Sequence, residues 1–549
     1  MAKNLTKPTA PDHLTMRLFA PGMSALHRAG LGGLACTLTA MERQHENGLV
    51  AKSKLPAPFV DDVPPWDIGE QSVTLRFGKP DCAASYLQRL FEFAFAIRKD
   101  GLIVLPGQHG AEPVTPLLAD LQSGLTLTFL QHGKVRQLAK EPTPVSYDPE
   151  GEGVPGVVVE YRRCTGFKHQ EGWHGFVDNK SQIAMGTMKI DGPISPGTVV
   201  RHVAFTGDTA AADPPERMLP LYFALVGCLA LPVNRGVAVL LIPEVENLLD
   251  FTVTRPLMTP TAAREAQVAN AADAAFQAHV RVRAKVAMAA SAAGCHAMTF
   301  TPTPWASQQK SRVATIYVPA EDERQLDRFA RALALLPPRI VTRVVKETTG
   351  RGKKNTFVEH RESFRTDSVI RPLIAENLAL GRKWYAGFTR LITRTNPATG
   401  KPYRHQLSFE RKGLHDMISD PTMWDKEGEA LVVQAVHEAI RQSLGRIRQE
   451  TDGQSAKNLS QATKNRWERF REKLRLDLAG AKTAAQLRFA LADLFSRGGS
   501  NSVLREAWEK VLPVIRCDWQ LARDLGLLAL ASYSGRGETD SVSENDSSK

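Results

Sequence analysis

The chain has 549 residues, of which 43% are hydrophobic and 23% charged, a balance that excludes a disordered or fibrous protein and calls for two to four domains. Lys and Arg number 70 against 58 Asp and Glu, a formal net charge of +12, which favours a polyanionic partner, either nucleic acid or an anionic membrane surface.

In chain order, Leu14 to Phe19 reads as a short strand, and Ser24 is placed to cap a helix running to about Arg43. Gly30, Gly32 and Gly33 are poor helix formers, so their presence predicts close packing of that helix against another backbone or a partner. Strand, helix (Cys82 to Phe95) and strand follow between Val73 and Leu105, with further strands expected at Leu125–Val135, Val157–Arg163 and Thr198–Phe205. The apolar run Leu219 to Val233 contains Pro220 and Pro232 and falls short of the roughly 20 residues of a membrane span, so a buried core helix over Met218–Leu231 is the better reading. Gly236–Ile242 is an interior strand, Ala262 to Ala293 an alanine-rich helix, His296–Thr301 and Arg312–Val318 strands, and Glu321–Leu336 an amphipathic helix ended by Pro337-Pro338. Arg281, Arg283 and Lys285 alternate with valines, which leaves helix and strand edge both open there. After Asp420 the pattern is helical, in segments 428–450, 458–478, 483–496, 502–515 and 519–531. The fold class expected is α+β: a mixed N-terminal lobe (1–205), a middle α/β lobe (206–425), a C-terminal helical bundle (426–531), and a Ser/Glu/Asp-rich tail (532–549) that should be disordered.

Six scattered cysteines with no CxxC spacing argue against a disulfide framework or zinc site and fit a reducing cytoplasm. No secretion signal or membrane span is expected; the short apolar run at 31–36 follows His27 and Arg28 too closely to be a lipoprotein signal.

The clearest chemical signal is the segment Arg339 to Lys412, with 17 Lys/Arg against 6 Asp/Glu, a net +11 in 74 residues. Lys346, Arg351, Lys353, Lys354 and Asn355 surround a Gly350/Gly352 turn suited to a phosphate backbone. Arg361, Arg365, Arg382, Lys383, Arg390 and Arg394 follow, with Trp384, Tyr385 and Phe388 interleaved as stacking candidates; the bland alternative is a solvated basic face with its aromatics in the core. A second cationic helix offers Arg466, Arg469 and Lys473, although Glu468 and Glu472 are spaced to pair with them. Catalytic constellations are thin. His415-Asp416 is an HD dipeptide of the kind found in metal-dependent nucleases, without the partners such sites need, and His169, Glu171 and His174 around Trp173 lack a further ligand. Gly350-Arg351-Gly352 is no P-loop, and neither GxSxG nor HExxH occurs. The residues thus point to a nucleic-acid binder without catalysis; a metal-dependent nuclease centred on His415 and Asp416, and a stand-alone nucleic-acid scaffold, are the competing readings.

The opening Leu18-Phe19-Ala20-Pro21-Gly22-Met23-Ser24-Ala25-Leu26-His27-Arg28-Ala29-Gly30-Leu31-Gly32-Gly33-Leu34 resembles the N-terminal signature of type I CRISPR large subunits, the variable proteins of the Cascade surveillance complex. Blocks 305–312 (Trp305 to Arg312) and 381–388 (Gly381 to Phe388) resemble internal blocks of the same group, so the likeness spans most of the chain to about Lys412. The resemblance implies a subunit without catalysis or cofactor, beside the guide RNA, in a cytoplasmic ribonucleoprotein with backbone, handle-binding and small subunits. Such a subunit reads the protospacer-adjacent motif on target DNA, helps open the duplex, steadies the R-loop, and docks a helicase–nuclease or transposition proteins. The helical C-terminus is then similar to the small subunit of the complex, with Met417 and Met423 as candidate internal starts. Readers of a short motif are expected among loop Gln, Asn, Lys and Arg: Gln308, Gln309, Lys310, Arg312, Asn355, Asn179 and Lys180 are of the right type.

Overall fold

A computed structural model of the chain describes residues 11–57, 63–131, 133–148, 155–191, 210–234, 236–286, 294–303, 306–349, 356–394, 404–453 and 459–534. The chain divides into two compact units, unit 1 holding Met1–Leu326 with Ile340–Arg365, and unit 2 holding Asp327–Arg339 with Thr366–Lys549. The boundary expected at 205/206 falls inside unit 1 and that at 425/426 inside unit 2.

The N-terminal half of unit 1 comprises β1 (His13–Arg17), α1 (Ala25–Glu46), β2 (Trp66–Ile68), β3 (Ser72–Arg76), α2 (Ala83–Ala94), β4 (Ala96–Ile97), β5 (Ile103–Val104), α3 (Thr115–Leu127), β6 (Arg136–Tyr147), β7 (Val157–Phe167), β8 (Met188–Asp191) and β9 (Ala210–Asp213). There follow α4 (Pro215–Gly227), β10 (Leu229–Asn234), β11 (Val237–Pro243), α5 (Leu248–Met258), α6 (Ala271–Arg283), β12 (Cys295–Thr303) and β13 (Ala306–Val318). The helix α7 (Glu323–Leu335) crosses the boundary between the units, and β14 (Arg339–Thr349) and β15 (Thr356–Thr366) return to unit 1. Sheets run in the orders β1-β3-β2, β10-β11-β12-β13 and β14-β15-β7-β6.

The glycines of α1 account for the core of unit 1. Ser24 caps the helix, its Oγ accepting from the His27 N–H, which fixes where the helix starts. A Cβ on Gly30 would lie 1.9 Å from the Pro220 carbonyl oxygen, one on Gly33 2.3 Å from that of Phe223, and one on Gly227 1.7 Å from that of Ala29. Helices α1 and α4 therefore cross backbone against backbone, as the glycine spacing predicts, and α4 is buried along nearly its whole length. Phe91, Phe95, Tyr222 and Phe223 fill the space beside this crossing with centroids 5.3 to 5.6 Å apart, in the tilted and edge-on arrangements aromatic rings prefer.

Three expected elements differ. The described residues of Leu125–Val135 form no strand: Leu125–Leu127 end α3, whose Leu117, Leu118, Leu121 and Leu125 recur at helical spacing and are buried, and Gly133–Val135 is a 3-10 turn. The Met218–Leu231 helix stops at Gly227, where the chain turns into β10. Among the described residues of the expected alanine-rich helix, Ala271–Arg283 is helical, capped by Asn270, whose side chain accepts from the Asp273 N–H; Arg281 lies within it and donates to the Met258 carbonyl at 2.9 and 3.0 Å. The strand expected at Thr198–Phe205 lies outside the described residues, and the tail is described only to Ser534.

Unit 2 contains α8 (Arg371–Ala379), α9 (Phe388–Thr393), α10 (Arg404–Leu407), α11 (Arg411–Ser419), α12 (Glu427–Asp452), α13 (Gln461–Gly480), α14 (Ala484–Gly498), α15 (Ser502–Cys517) and α16 (Trp519–Ser532). Helix α12 is the axis, packed by α14, α15 and α16 through Val432, Val433, Val436, Ala439 and Ile440. This is the expected helical bundle, and with the sheets of unit 1 it makes the protein α+β. Among the described residues no helix is long and apolar enough to cross a membrane, and the six cysteines are free thiols.

Candidate nucleic-acid interface

The basic segment is divided between the units, and its residues have different fates. Its first half forms β14 and β15, which lie beside β7 and β6 in one mixed sheet. Strands β15 and β7 run parallel with Ser363 opposite Val157, both buried. Because side chains alternate, Phe364 and Val158, one residue further along each strand, share the opposite face, where they are 39% and 58% exposed. The Arg343 guanidinium sits 5.4 Å over the Phe364 ring and pairs with Glu362 at 3.2 Å, so a cation and an aromatic plane are presented together. Arg162 on β7, paired across the ladder with Pro142, and Lys140 on β6 are exposed, as is Arg163. Arg361 is exposed and forms no ion pair among the described residues.

Arg365 is a correction: it is not a surface cation. Its Nη1 donates to the carbonyls of Ala263 and Arg264, and its Nε and Nη2 are buried without partners, because the strand ends against the turn that precedes α6. The guanidinium also bears on Asp120 of α3, whose carboxyl burial raises to about 7 against the opposing pull of Arg365.

In unit 2 the aromatic block belongs to the core. Trp384 and Tyr385 are each 1% exposed and pack edge to face at 5.6 Å, with Trp424 at 5.6 and 5.8 Å. Trp384 is therefore no base-stacking platform, since a π-face must reach solvent to stack. Lys383 is likewise engaged: its Nζ lies 2.7 Å from Asp425 and 2.8 Å from Glu429, and these carboxylates hold its pKa above the ordinary lysine value against burial. Arg382, Arg390 and Arg394 point the other way. All are exposed and form no ion pair among the described residues; Arg390 and Arg394 share one face of α9 and its end by their i,i+4 spacing. The segment is anchored through Asp524, whose carboxylate accepts from the Gly387 N–H at 2.6 Å, the Thr389 N–H at 2.9 Å and the Thr389 hydroxyl at 2.5 Å.

On α13, Arg466 pairs with Glu450 and donates to the Thr451 hydroxyl, both at 2.9 Å. Arg469 and Lys473 remain exposed without an ion pair among the described residues, next to Leu476, which is 54% exposed. Asn179 and Lys180 sit in a tight exposed turn in which Asp178 Oδ1 accepts from the Lys180 and Gln182 N–H groups at 2.8 and 3.0 Å. Gln308, Gln309, Lys310 and Arg312 lie on β13, an edge strand whose Lys310 and Arg312 pair with Pro302 and Phe300; their side chains, and that of Lys346, are outside the described residues, as are Arg351, Lys353, Lys354 and Asn355 altogether.

Among the described residues the histidines do not converge on a site. His415 stacks on His437 at 6.0 Å, and His437 Nε2 is turned to the Ala529 carbonyl at 2.9 Å. His169 is buried among Phe95, Phe167 and Tyr222, which pushes its pKa down to about 3, while His174 stacks on Trp173 at 3.7 Å. Among the described residues no group of three or more His, Cys, Asp or Glu side chains is arranged to hold a metal ion.

Sequence reasoning missed Lys140, Arg162 and Arg163. They lie outside the basic segment, and only the pairing of β15 with β7 brings them to its sheet; the tandem arginines within a strand pattern were the available signal.

Residues 15–222 match the DevT N-terminal domain and residues 420–549 the DevT C-terminal domain. The chain is similar to the CRISPR-associated protein Cas8a1/Csx13 of Myxococcus xanthus (strain DK1622), 34% identical over 559 positions that cover 98% of this chain and 91% of that protein. The chain belongs to the Cas8a1/Csx13 family. It is thus a large subunit of a type I CRISPR complex, the group its opening block resembles. The match to the DevT C-terminal domain begins in the loop that precedes α12, so this Cas8a1/Csx13-family chain carries its helical bundle as a separately recognisable piece, and the DevT N-terminal match covers α1 and the first half of α4.

Proposed function

We propose that this Cas8a1/Csx13-family protein acts without catalysis, as the subunit of a guide-RNA complex that reads the protospacer-adjacent motif, aids duplex opening and steadies the displaced strand. The observation that carries this is the set of exposed cations without ion pairs among the described residues, Arg361 in unit 1 and Arg382, Arg390 and Arg394 in unit 2. Cations left without acidic neighbours on a surface are available to neutralise phosphates and release counterions. Lys346, Arg351, Lys353, Lys354 and Asn355 are further proposed phosphate contacts on the strength of their residue types; on the bundle, Arg469 and Lys473 are proposed to hold the strand, with Arg466 doing so only by exchanging Glu450 for a phosphate. Gln308, Gln309, Lys310, Arg312, Asn179 and Lys180 are the proposed motif readers, since amides and cations are the side chains that pair with base edges. The partners proposed are guide RNA, target DNA, the backbone, handle-binding and small subunits, and a helicase–nuclease or transposition proteins, all meeting in the cytoplasm. The test is DNA binding by the assembled complex at two salt concentrations, on targets with and without a randomised flanking motif. Loss of motif discrimination when this subunit is omitted supports the reading; unchanged discrimination overturns it.

A further inference from the structure

Unit 1 contains a cleft of about 630 Å³ between the end of α1, the C-terminal turn of α2, the β4–β5 hairpin and the loop before α3. Its floor is apolar, made by Phe93, Ile97, Val104 and Leu118. Its rim carries Lys54, Arg89 and Arg98 against Glu92 and Glu112. Each rim arginine is held along part of its guanidinium: Arg89 Nη1 donates to the Leu55 carbonyl at 2.8 Å, and Arg98 Nη2 donates to Thr115 at 3.2 Å and forms an ion pair with Asp100 at 2.8 Å, which offsets its charge and leaves Lys54 and Arg89 as the main anion-attracting groups of the rim. Bracing of this kind leaves the remaining N–H groups pre-oriented for an oxyanion. Of the two acids, Glu92 is already engaged by the Gln88 amide at 2.9 Å.

The cleft is also tied to the cationic sheet. The turn of the β4–β5 hairpin is fastened to β7 by three hydrogen bonds: Arg163 Nη2 to the Lys99 carbonyl at 2.8 Å, the Tyr161 hydroxyl to that of Asp100 at 3.0 Å, and the Cys164 N–H to that of Gly101 at 2.8 Å. Gly101 is required there, since it has φ +80 and a Cβ on it would meet the Arg163 Cβ at 2.6 Å. One hairpin therefore forms a wall of the cleft and is anchored on the strand that carries Arg162 and Arg163.

We infer that this cleft takes a single unpaired nucleotide, its base against Phe93 and the apolar floor and its phosphate on the Lys54, Arg89 and Arg98 rim, from a strand that continues over the sheet. The inference rests on the nucleic-acid reading above and adds a base-sized pocket to it. An apolar concavity with a few convergent cations suits a stacked base with one charged end, and a guide RNA and a displaced DNA strand both supply one.

The test uses the full-length chain and a labelled single strand of about twelve nucleotides, within the usual site size of such surfaces, made as RNA and as DNA. A single abasic nucleotide is moved along each strand. A drop of about tenfold in affinity at one abasic position is expected, lost in Ala96→Trp, which fills the cleft. The exposed Lys54→Glu weakens binding and lowers its salt dependence without touching the floor. Tighter binding of RNA assigns the occupant to the guide, and of DNA to the displaced strand. A flat abasic scan in the wild type, or the same abasic drop in Ala96→Trp, overturns the cleft site. Arg162→Ala with Arg361→Ala separates the two readings. If that pair weakens binding while the scan stays flat, the cleft falls and the surface reading stands.

Discussion

Residues 339–365 carry 8 Lys/Arg against 3 Asp/Glu, and residues 366–412 carry 9 against 3; the two stretches are nearly the same in charge and differ in what the charge does. The first is a pair of strands in a sheet with one face open, where alternation puts every second side chain toward solvent, so Arg343 and Phe364 both reach it. The second winds into short helices against a bundle, and the bundle takes what it needs: Arg371 is fully buried with its Nη1 on the Leu336 carbonyl at 2.9 Å, and Trp384, Tyr385 and Phe388 are core residues. Positive charge density along a sequence therefore gives an upper bound on a binding surface. Pairing with acids from distant elements, here Asp425 and Glu429 on Lys383, decides how much remains.

The largest effect that sharpens this contrast is at Trp384. Trp384→Ala should cost about 3–5 kcal/mol of stability, the usual range for a large buried aromatic, with no direct loss of nucleic-acid contact. Trp384→Phe should cost little, because the indole N–H has no hydrogen-bond partner to lose. Urea unfolding followed by tryptophan fluorescence checks both. A Trp384→Phe variant that keeps its stability and loses affinity would return this residue to the interface. Asp524→Ala comes next, at about 2–4 kcal/mol, since two N–H groups and a hydroxyl lose their acceptor and the N–H groups are partly or fully buried. Hydrogen exchange should then rise first across residues 387–393.

The units should also part company in acid. His109, His169 and His279 in unit 1 are buried, and burial pushes their pKa values down to about 4, 3 and 4. Each folded-state value lies below the unfolded value, near 6.5. Over that interval the unfolded chain binds more protons, so the stability each contributes is present above pH 6.5 and is lost as pH falls toward 4. Asp120, raised to about 7 by burial, works in the opposite sense across the same window and offsets one of the three. Among the described residues of unit 2, His437 is similarly lowered, to about 4, and the buried Glu410, whose pKa burial raises, opposes it. His27, lowered by burial, and Glu42, raised by burial, oppose each other, so unit 1 is expected to lose about 2–3 kcal/mol per pH unit between pH 6 and 5, from two uncompensated protons, and unit 2 much less. Hydrogen exchange at the two pH values, read separately over α1–α4 and over α12–α16, checks the difference. Equal loss in both units would show that the buried histidines of unit 1 do not govern its acid response.

Much of the architecture was legible because it rests on local patterns. Ser24 marked the start of α1, Gly30 and Gly33 marked its close crossing while Gly32 makes room for the Phe251 ring, and the polar breaks near 453, 480 and 498 separated the helices of the bundle. What stayed hidden was long-range. Nothing local in Val157–Phe167 says that it will pair with Thr356–Thr366, about 200 residues away, and so nothing local brings Arg162 to the basic strands. The buried fate of Trp384 was equally hidden, because an aromatic flanked by Arg382 and Lys383 has the composition of a stacking site whether or not Trp424 and α12 cover it. The Leu125–Val135 misreading has a local origin instead: its first three residues continue the helical period of α3.

The smallest expected effect on stability is the most informative for function. Arg382→Ala, Arg390→Ala and Arg394→Ala together should change unfolding free energy by less than about 0.5 kcal/mol per site, as exposed residues without ion pairs do. In the assembled complex the same triple variant should weaken target binding and make its salt dependence shallower by about 0.9 in log–log slope for each phosphate contact removed. Lys383→Ala is the matched control from the adjacent position. It leaves Asp425 and Glu429 without their ammonium partner, so it should lower stability and leave the salt slope unchanged. A slope that falls with Lys383→Ala and stays constant in the triple variant would reverse the division between wiring and interface drawn from the ion pairs. The opposite pattern would locate the phosphate-bearing strand on the α9 face of unit 2.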